Sequence, residues 1–106
     1  MNQTVPDKQA KEDAILITLA SIPAGKVSSY GDIAKKAGFP GLARYVAYIL
    51  KNLPNDSKIP WHRVISSQGK ISFPKNGKMY SLQRSKLKDE GIMLSQSNTV
   101  PKRYFW

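Results

Sequence analysis

A mainly α fold is what the sequence predicts, and three observations predict it. Apolar residues recur at helical spacing along two separate stretches, a capping pair and a glycine-proline turn lie between them, and the one region of β character is short and bounded by turn residues. The expected architecture is a three-helix helix-turn-helix, winged-helix-like in outline, with a small β-hairpin wing and a C-terminal helix. At 106 residues the chain suits a single domain, spanning 1–106, with one modest core.

Met1 to about Asp7 is polar and contains a proline, so it is expected to be flexible. From Lys8 to Ile22, the residues Ala10, Ala14, Ile15, Leu19 and Ile22 share one face of an amphipathic helix, and Pro23-Ala24-Gly25 stops it. Val27 then leads into Ser28-Ser29-Tyr30-Gly31-Asp32. There Ser29, with Asp32 three residues on, matches a capping box that opens a short helix to about Ala37. Gly38-Phe39-Pro40-Gly41 makes a tight turn. A third helix follows from about Leu42 to Asn52, with Leu42, Val46, Ile49 and Leu50 inward and Arg44, Tyr45, Tyr48 and Lys51 on its other face. After Pro54-Asn55-Asp56-Ser57, the pair Val64-Ile65 and the run Ile71 to Phe73 flank Ser66-Ser67-Gln68-Gly69-Lys70 as a hairpin. A Lys- and Gly-rich loop, Pro74 to Lys78, leads to a last helix from about Ser81 to Glu90 with Gly91 as its C-cap. The tail from Ser95 carries the aromatic run Tyr104-Phe105-Trp106, which suits an anchor.

Seventeen Lys and Arg against seven Asp and Glu give a net charge of +10, spread along the chain. Such a surface favours a polyanion, nucleic acid first, although a ribosome-associated or merely soluble basic protein has the same composition. Two short helices joined by a Gly-containing turn after a longer helix are the arrangement that docks on DNA, with the third helix as the recognition helix. The absence of cysteine excludes disulfides, thiolate metal sites and a thiol nucleophile. With His62 as the sole histidine, no metal and no cofactor are expected. The polar N-terminus and the lack of any membrane-length apolar run point to a soluble intracellular protein, cytoplasmic and nucleoid-associated in a bacterium or nuclear in a eukaryote, and a monomer is expected.

Four blocks stand in order: Gly25-Lys26-Val27-Ser28-Ser29-Tyr30-Gly31, Ala43-Arg44-Tyr45-Val46, Pro60-Trp61-His62-Arg63-Val64-Ile65 and Glu90-Gly91. Over roughly Lys8 to Leu94 they resemble the DNA-binding half of the O6-alkylguanine-DNA alkyltransferases. That family has Pro-Cys-His-Arg-Val where this chain has Trp61, and its cysteine thiolate takes the alkyl group from guanine O6. With an indole in the thiol's place, the chain resembles the alkyltransferase-like proteins.

The resemblance implies non-enzymatic recognition of O6-alkylguanine in double-stranded DNA. The base is flipped out of the stack, at a cost of a few kcal/mol. Tyr30 would press on the target phosphate, and Arg44 would enter the stack, its planar guanidinium replacing the extruded base. Ala43 and Ala47 would let the helix lie close in the minor groove, where readout is poor, with Ser29, Tyr45, Tyr48 and Lys51 completing the DNA-facing set. The lesion pocket would hold Trp61 as a wall, His62 and Glu90 as a relay with nothing to activate, main-chain carbonyls at Trp61 and Val64, a hinge at Asn52, and Lys75 beside O6, next to Pro74 where relatives place a tyrosine or arginine. It further implies that the bound protein blocks alkyltransferases and recruits nucleotide excision repair proteins. Two other classes stay open: a base-excision glycosylase, which needs a carboxylate beside the flipped base, and a winged-helix transcription regulator that reads undamaged DNA.

Overall fold

A computed structural model describes residues 8–106, so the flexible lead-in expected for residues 1–7 lies outside the described residues. Helix α1 spans Lys8–Ala20 and buries Ile15 and Leu19. It stops two residues short of the expected Ile22. Ser21 and Ile22 donate to the carbonyls three residues back, and a residue before proline disfavours α geometry. Ile22 is nonetheless buried.

Strand β1, Ser28–Ser29, runs straight into α2, Tyr30–Lys36. Ser29 caps that helix: its hydroxyl accepts the Asp32 N–H at 3.1 Å. Gly38 ends it at φ +96°. Phe39 N–H reaches Ala34 O at 2.9 Å and Gly38 N–H reaches Lys35 O at 3.0 Å, the paired bonds of a Schellman end. Helix α3, Ala43–Lys51, follows with Val46 and Ile49 buried. The three helices enclose a first core of Ile15, Leu19, Ile22, Ile33, Ala34, Val46, Ile49 and Val64.

The expected hairpin wing is not there. Strand β2, Val64–Ile65, pairs in parallel with β1, Ser28 opposite Val64 and Ser29 opposite Ile65. The turn Ser66 to Lys70 does close, with Ser66 N–H to Lys70 O at 2.9 Å. Its return arm fails to become a strand because β2 is already paired with β1 and Gly69 O accepts from Val100 N–H at 2.8 Å. Ile71 and Phe73 serve as packing residues instead.

Helix α4, Lys78–Asp89, begins three residues earlier than the expected Ser81, since burial of Tyr80, one turn before Gln83 and two before Leu87, ties its first turn to the core. Its other end has the expected glycine. Gly91 takes φ +83°, with Ile92 N–H on Leu87 O at 2.9 Å and Gly91 N–H on Lys88 O at 2.9 Å, which leaves Glu90 as the C-cap. A second core gathers Val27, Ile65, Ile71, Tyr80, Leu87, Ile92 and Val100, with Phe73, Leu94, Tyr104 and Phe105 against it, so the aromatic tail does anchor. Neighbouring residues of β2 feed different cores, Val64 the first and Ile65 the second. Among the described residues no helix is long and apolar enough to cross a membrane.

Gly38→Ala isolates the backbone requirement of the α2–α3 turn, because no atom lies within 4 Å of the Cβ it would add. A loss of about 1 kcal/mol in unfolding free energy is expected from the left-handed conformation alone, read as a lower urea midpoint at unchanged slope.

Candidate nucleic-acid interface and base cleft

The segment carrying Trp61 is shaped by its proline. Pro60 sits at φ −77° and ψ 68°, an inverse γ-turn closed by Trp61 N–H to Ile59 O at 2.8 Å, and its ring fixes that φ in advance. A 3₁₀ turn over Trp61–Arg63 follows, with Arg63 N–H on Pro60 O at 3.0 Å. From the core side, the buried Gln83 of α4 donates its Nε2 to both His62 O and Val64 O at 2.9 Å. Held in this way, the indole stands edge-on to Phe73, ring centroids 6.2 Å apart at 87°.

Trp61 and Phe73 face a cleft of about 560 Å³, bounded also by Tyr30 of α2, Ala47, Leu50 and Lys51 of α3, Met79 and Leu82 of α4, and the loop residues Leu53, Pro54, Asn55 and Ser57. Met79 and Leu82 are 42% and 43% exposed, apolar side chains left in water at the cleft wall. The lining is mostly apolar with a few polar groups, the make-up of a ligand site.

Behind the Trp61 turn lies a charge cluster. The Glu90 carboxylate accepts from Arg63 Nη2 at 2.7 Å and Nε at 3.0 Å, from His62 Nε2 at 2.7 Å and from Gly25 N–H at 3.0 Å, while Arg63 Nη1 also donates to Ile22 O at 2.8 Å. Burial by itself would raise this carboxyl. The bonds from Arg63, Gly25 and His62 outweigh it and lower the pKa from the usual 4.5 to about 2. A carboxylate at a helix C-terminus opposes the helix dipole, so these donors also offset that cost.

The structure unites some of the expected site residues and separates others. Tyr30, Ala47, Lys51 and Trp61 share the cleft. Arg44 is exposed on α3 and forms no ion pair with any described residue, and Tyr48 is 56% exposed beside it. Ala43 occupies the first turn of α3, half-buried. His62 and Glu90 do meet, but behind the Trp61 turn rather than among the cleft's lining residues.

Five further expected residues also lie outside the cleft lining. Tyr45 belongs to the inward stripe with Leu42 and Ile49, packed on the first core and stacked on Tyr48 at 6.3 Å, because positions three and four apart share a helix face. Ser29 is buried and spends its hydroxyl on the α2 cap. The side chain of Val64 lies in the core, and its carbonyl is engaged by Gln83. Asn52 caps α3, its amide donating to Tyr48 O at 2.8 Å, and Asn55 lines the cleft in its stead. Lys75 is exposed on the turn closed by Gly77 N–H to Pro74 O, outside the cleft lining. Sequence reading missed Phe73, Met79, Leu82 and Gln83. The three-residue spacing of Met79 and Leu82 was the available signal, masked by the polar residues around them.

A helix-turn-helix whose third helix borders an open aromatic cleft, on a chain of net charge +10, defines a nucleic-acid-binding module. More narrowly, the sequence profile of the 6-O-methylguanine DNA methyltransferase, DNA binding domain, matches residues 10–92, and the chain belongs to that family. A DNA base-flipping protein of Vibrio parahaemolyticus is 50% identical over 93 residues, covering 87% of this chain and 91% of the relative. Alkyltransferase-like protein 1 of Schizosaccharomyces pombe is 40% identical over 80 residues, covering 76% of this chain and 74% of its own. The crystal structure of S. pombe Atl1 in complex with damaged DNA containing O6-carboxymethylguanine superposes with a TM-score of 0.81 at 31% identity, covering 95% of this chain and 98% of that one.

Because Glu90 is more acidic folded than unfolded, its stabilisation is complete above the unfolded value of 4.5 and disappears as pH falls toward about 2. Glu90→Gln is expected to cost about 1–3 kcal/mol at neutral pH by leaving Arg63 uncompensated. In denaturant titrations the gap between the two proteins should close across that acid window.

Proposed function

We propose that this chain binds duplex DNA, extrudes an O6-alkylated guanine into the Trp61 cleft and holds it there without chemical transfer. One observation carries the reading: the residue standing where the family has its nucleophile forms the wall of an open cleft beside the recognition helix. An indole has a flat apolar face to offer a base, and no proton whose loss in the physiological range would make it a nucleophile. With no cysteine in the chain there is no thiolate to receive an alkyl group.

Tyr30 at the start of α2 and Arg44 on the exposed face of α3 supply the backbone contact and the replacement for the extruded base. The exposure of Arg44 and its freedom from described ion pairs support that assignment. Among the described residues the cleft lining contains no carboxylate, and the nearby Glu90 is committed to Arg63 and His62, which counts against hydrolytic base excision. A lesion held in this way is shielded from alkyltransferases. The proposal extends to a handover of the marked site to nucleotide excision repair proteins, with the chain acting as a monomer.

Paired duplexes carrying guanine or O6-methylguanine are to be titrated at matched, near-physiological salt, since a +10 chain binds any duplex when salt is low. Preference for the lesion is expected, with the protein mass unchanged afterwards; a gain of one methyl group contradicts the reading. Trp61→Ala should weaken the lesion complex by about 1–3 kcal/mol, the usual worth of a base–aromatic stack. Arg44→Ala should weaken the lesion complex more than the undamaged one, whereas equal losses would reduce Arg44 to a phosphate contact.

A further inference from the structure

Residues 93–106 lie beyond the stretch that matches the family profile, yet Tyr104 and Trp106 are bonded through their main chains to Val27, three residues before Tyr30. Val27 N–H donates to Tyr104 O at 2.9 Å, and Val27 O accepts from Trp106 N–H at 2.8 Å. Val27 and Phe105 form an isolated parallel bridge. Three extended segments therefore lie side by side, with Val27 to Ser29 in the middle: the tail on one flank, and on the other β2, which directly follows the Trp61 turn. The middle segment opens directly into Tyr30.

The same tail also reaches the opposite end of α2. Lys36 Nζ lies 3.6 Å from the centroid of the Trp106 ring and donates to the Trp106 main-chain oxygen at 3.3 Å. Lys26, one residue before Val27, donates its Nζ to Arg103 O at 3.1 Å. Helix α2 has seven residues, too few to be stable alone, and Ile33 and Ala34 secure one face of it. Burial of that face sets its depth in the core. Its position along its own axis is set by what holds its two ends.

We infer that Tyr104 and Trp106 are positioning residues, and that the segment they bound holds both the strand segment leading into α2, at Val27, and the far end of that helix, at Lys36, and so fixes Tyr30 at the cleft. This rests on the proposed lesion-reading role of Tyr30. None of the residues that line the cleft belongs to the tail, whose bonds run to Val27, Lys26 and Lys36.

The test uses the full chain with Trp106→Ala, and with Lys36→Met, which removes the cation but keeps the aliphatic stem and leaves the main-chain pairing of Val27 untouched. Each is titrated on guanine and O6-methylguanine duplexes, alone and combined with Tyr30→Ala. The expected result is a lesion preference reduced by about threefold to tenfold in each single variant, with no further reduction when Tyr30→Ala is added. Tyr30→Ala abolishing the preference while both tail variants retain it overturns the inference alone. So does a loss that adds fully to that of Tyr30→Ala. If Tyr30→Ala itself leaves the preference intact, the reading of Tyr30 fails, and the role of the tail falls with it. Should Trp106→Ala fail to fold, Lys36→Met on the surface carries the comparison by itself.

Discussion

The carboxylate of Glu90 is the point on which the arrangement of the site depends. It ends α4, and through Arg63, His62 and Gly25 it joins that end to the Trp61 turn and to the loop between α1 and β1, while Arg63 extends the connection to the carbonyl of Ile22 at the close of α1. Elements far apart in sequence meet on one anion. The Schellman end at Gly91 makes this possible, because it leaves Glu90 as the last residue of the helix and turns the chain sharply away, with Ile92 returning to the core against Leu87. In a chain with such an excess of cations, a partly buried carboxylate with three kinds of donor is an economical fastening, since each donor also satisfies its own hydrogen-bonding requirement.

His62 and Glu90, which the family resemblance pairs as a relay, here fasten the turn. Trp61 stands where the family has its cysteine, and around it the Glu90 network holds the turn. What remains is a shaped recess with an aromatic wall.

The helices were legible because their patterns are local. Spacing of Ile15, Leu19 and Ile22, the cap at Ser29 and the glycines at 38 and 91 each act within a turn or two of chain, and each lies where the sequence places it. The wing was misjudged because a strand's partner is a long-range choice: Val64-Ile65 has the look of a hairpin arm, and only the folded chain reveals that Ser28-Ser29, polar and without strand propensity, takes that edge. In the site, Trp61 and Tyr30 were named as pocket residues from the family resemblance, whereas Ala47 and Lys51, expected only to face DNA, also line the cleft. Gln83, acting through main-chain carbonyls 19 and 21 residues away, leaves no trace in any local pattern. Tyr45 was grouped with Arg44, Tyr48 and Lys51 on the outer face, while the helical stripe packs it on the first core.

The two-residue strand β2 has a consequence for how the chain can vary. Val64 and Ile65 point into separate hydrophobic interiors on either side of one short ladder, so the strand is the seam where the two halves are joined. A single inserted or deleted residue between the Trp61 turn and Ser66 would exchange the two side chains, sending each into the wrong half and unmaking the register with Ser28 and Ser29 at once. Length changes elsewhere, in the loops after α3 or before α4, meet no such penalty. Divergence among proteins of this shape therefore has a built-in forbidden stretch, enforced by the geometry of alternation and independent of any ligand.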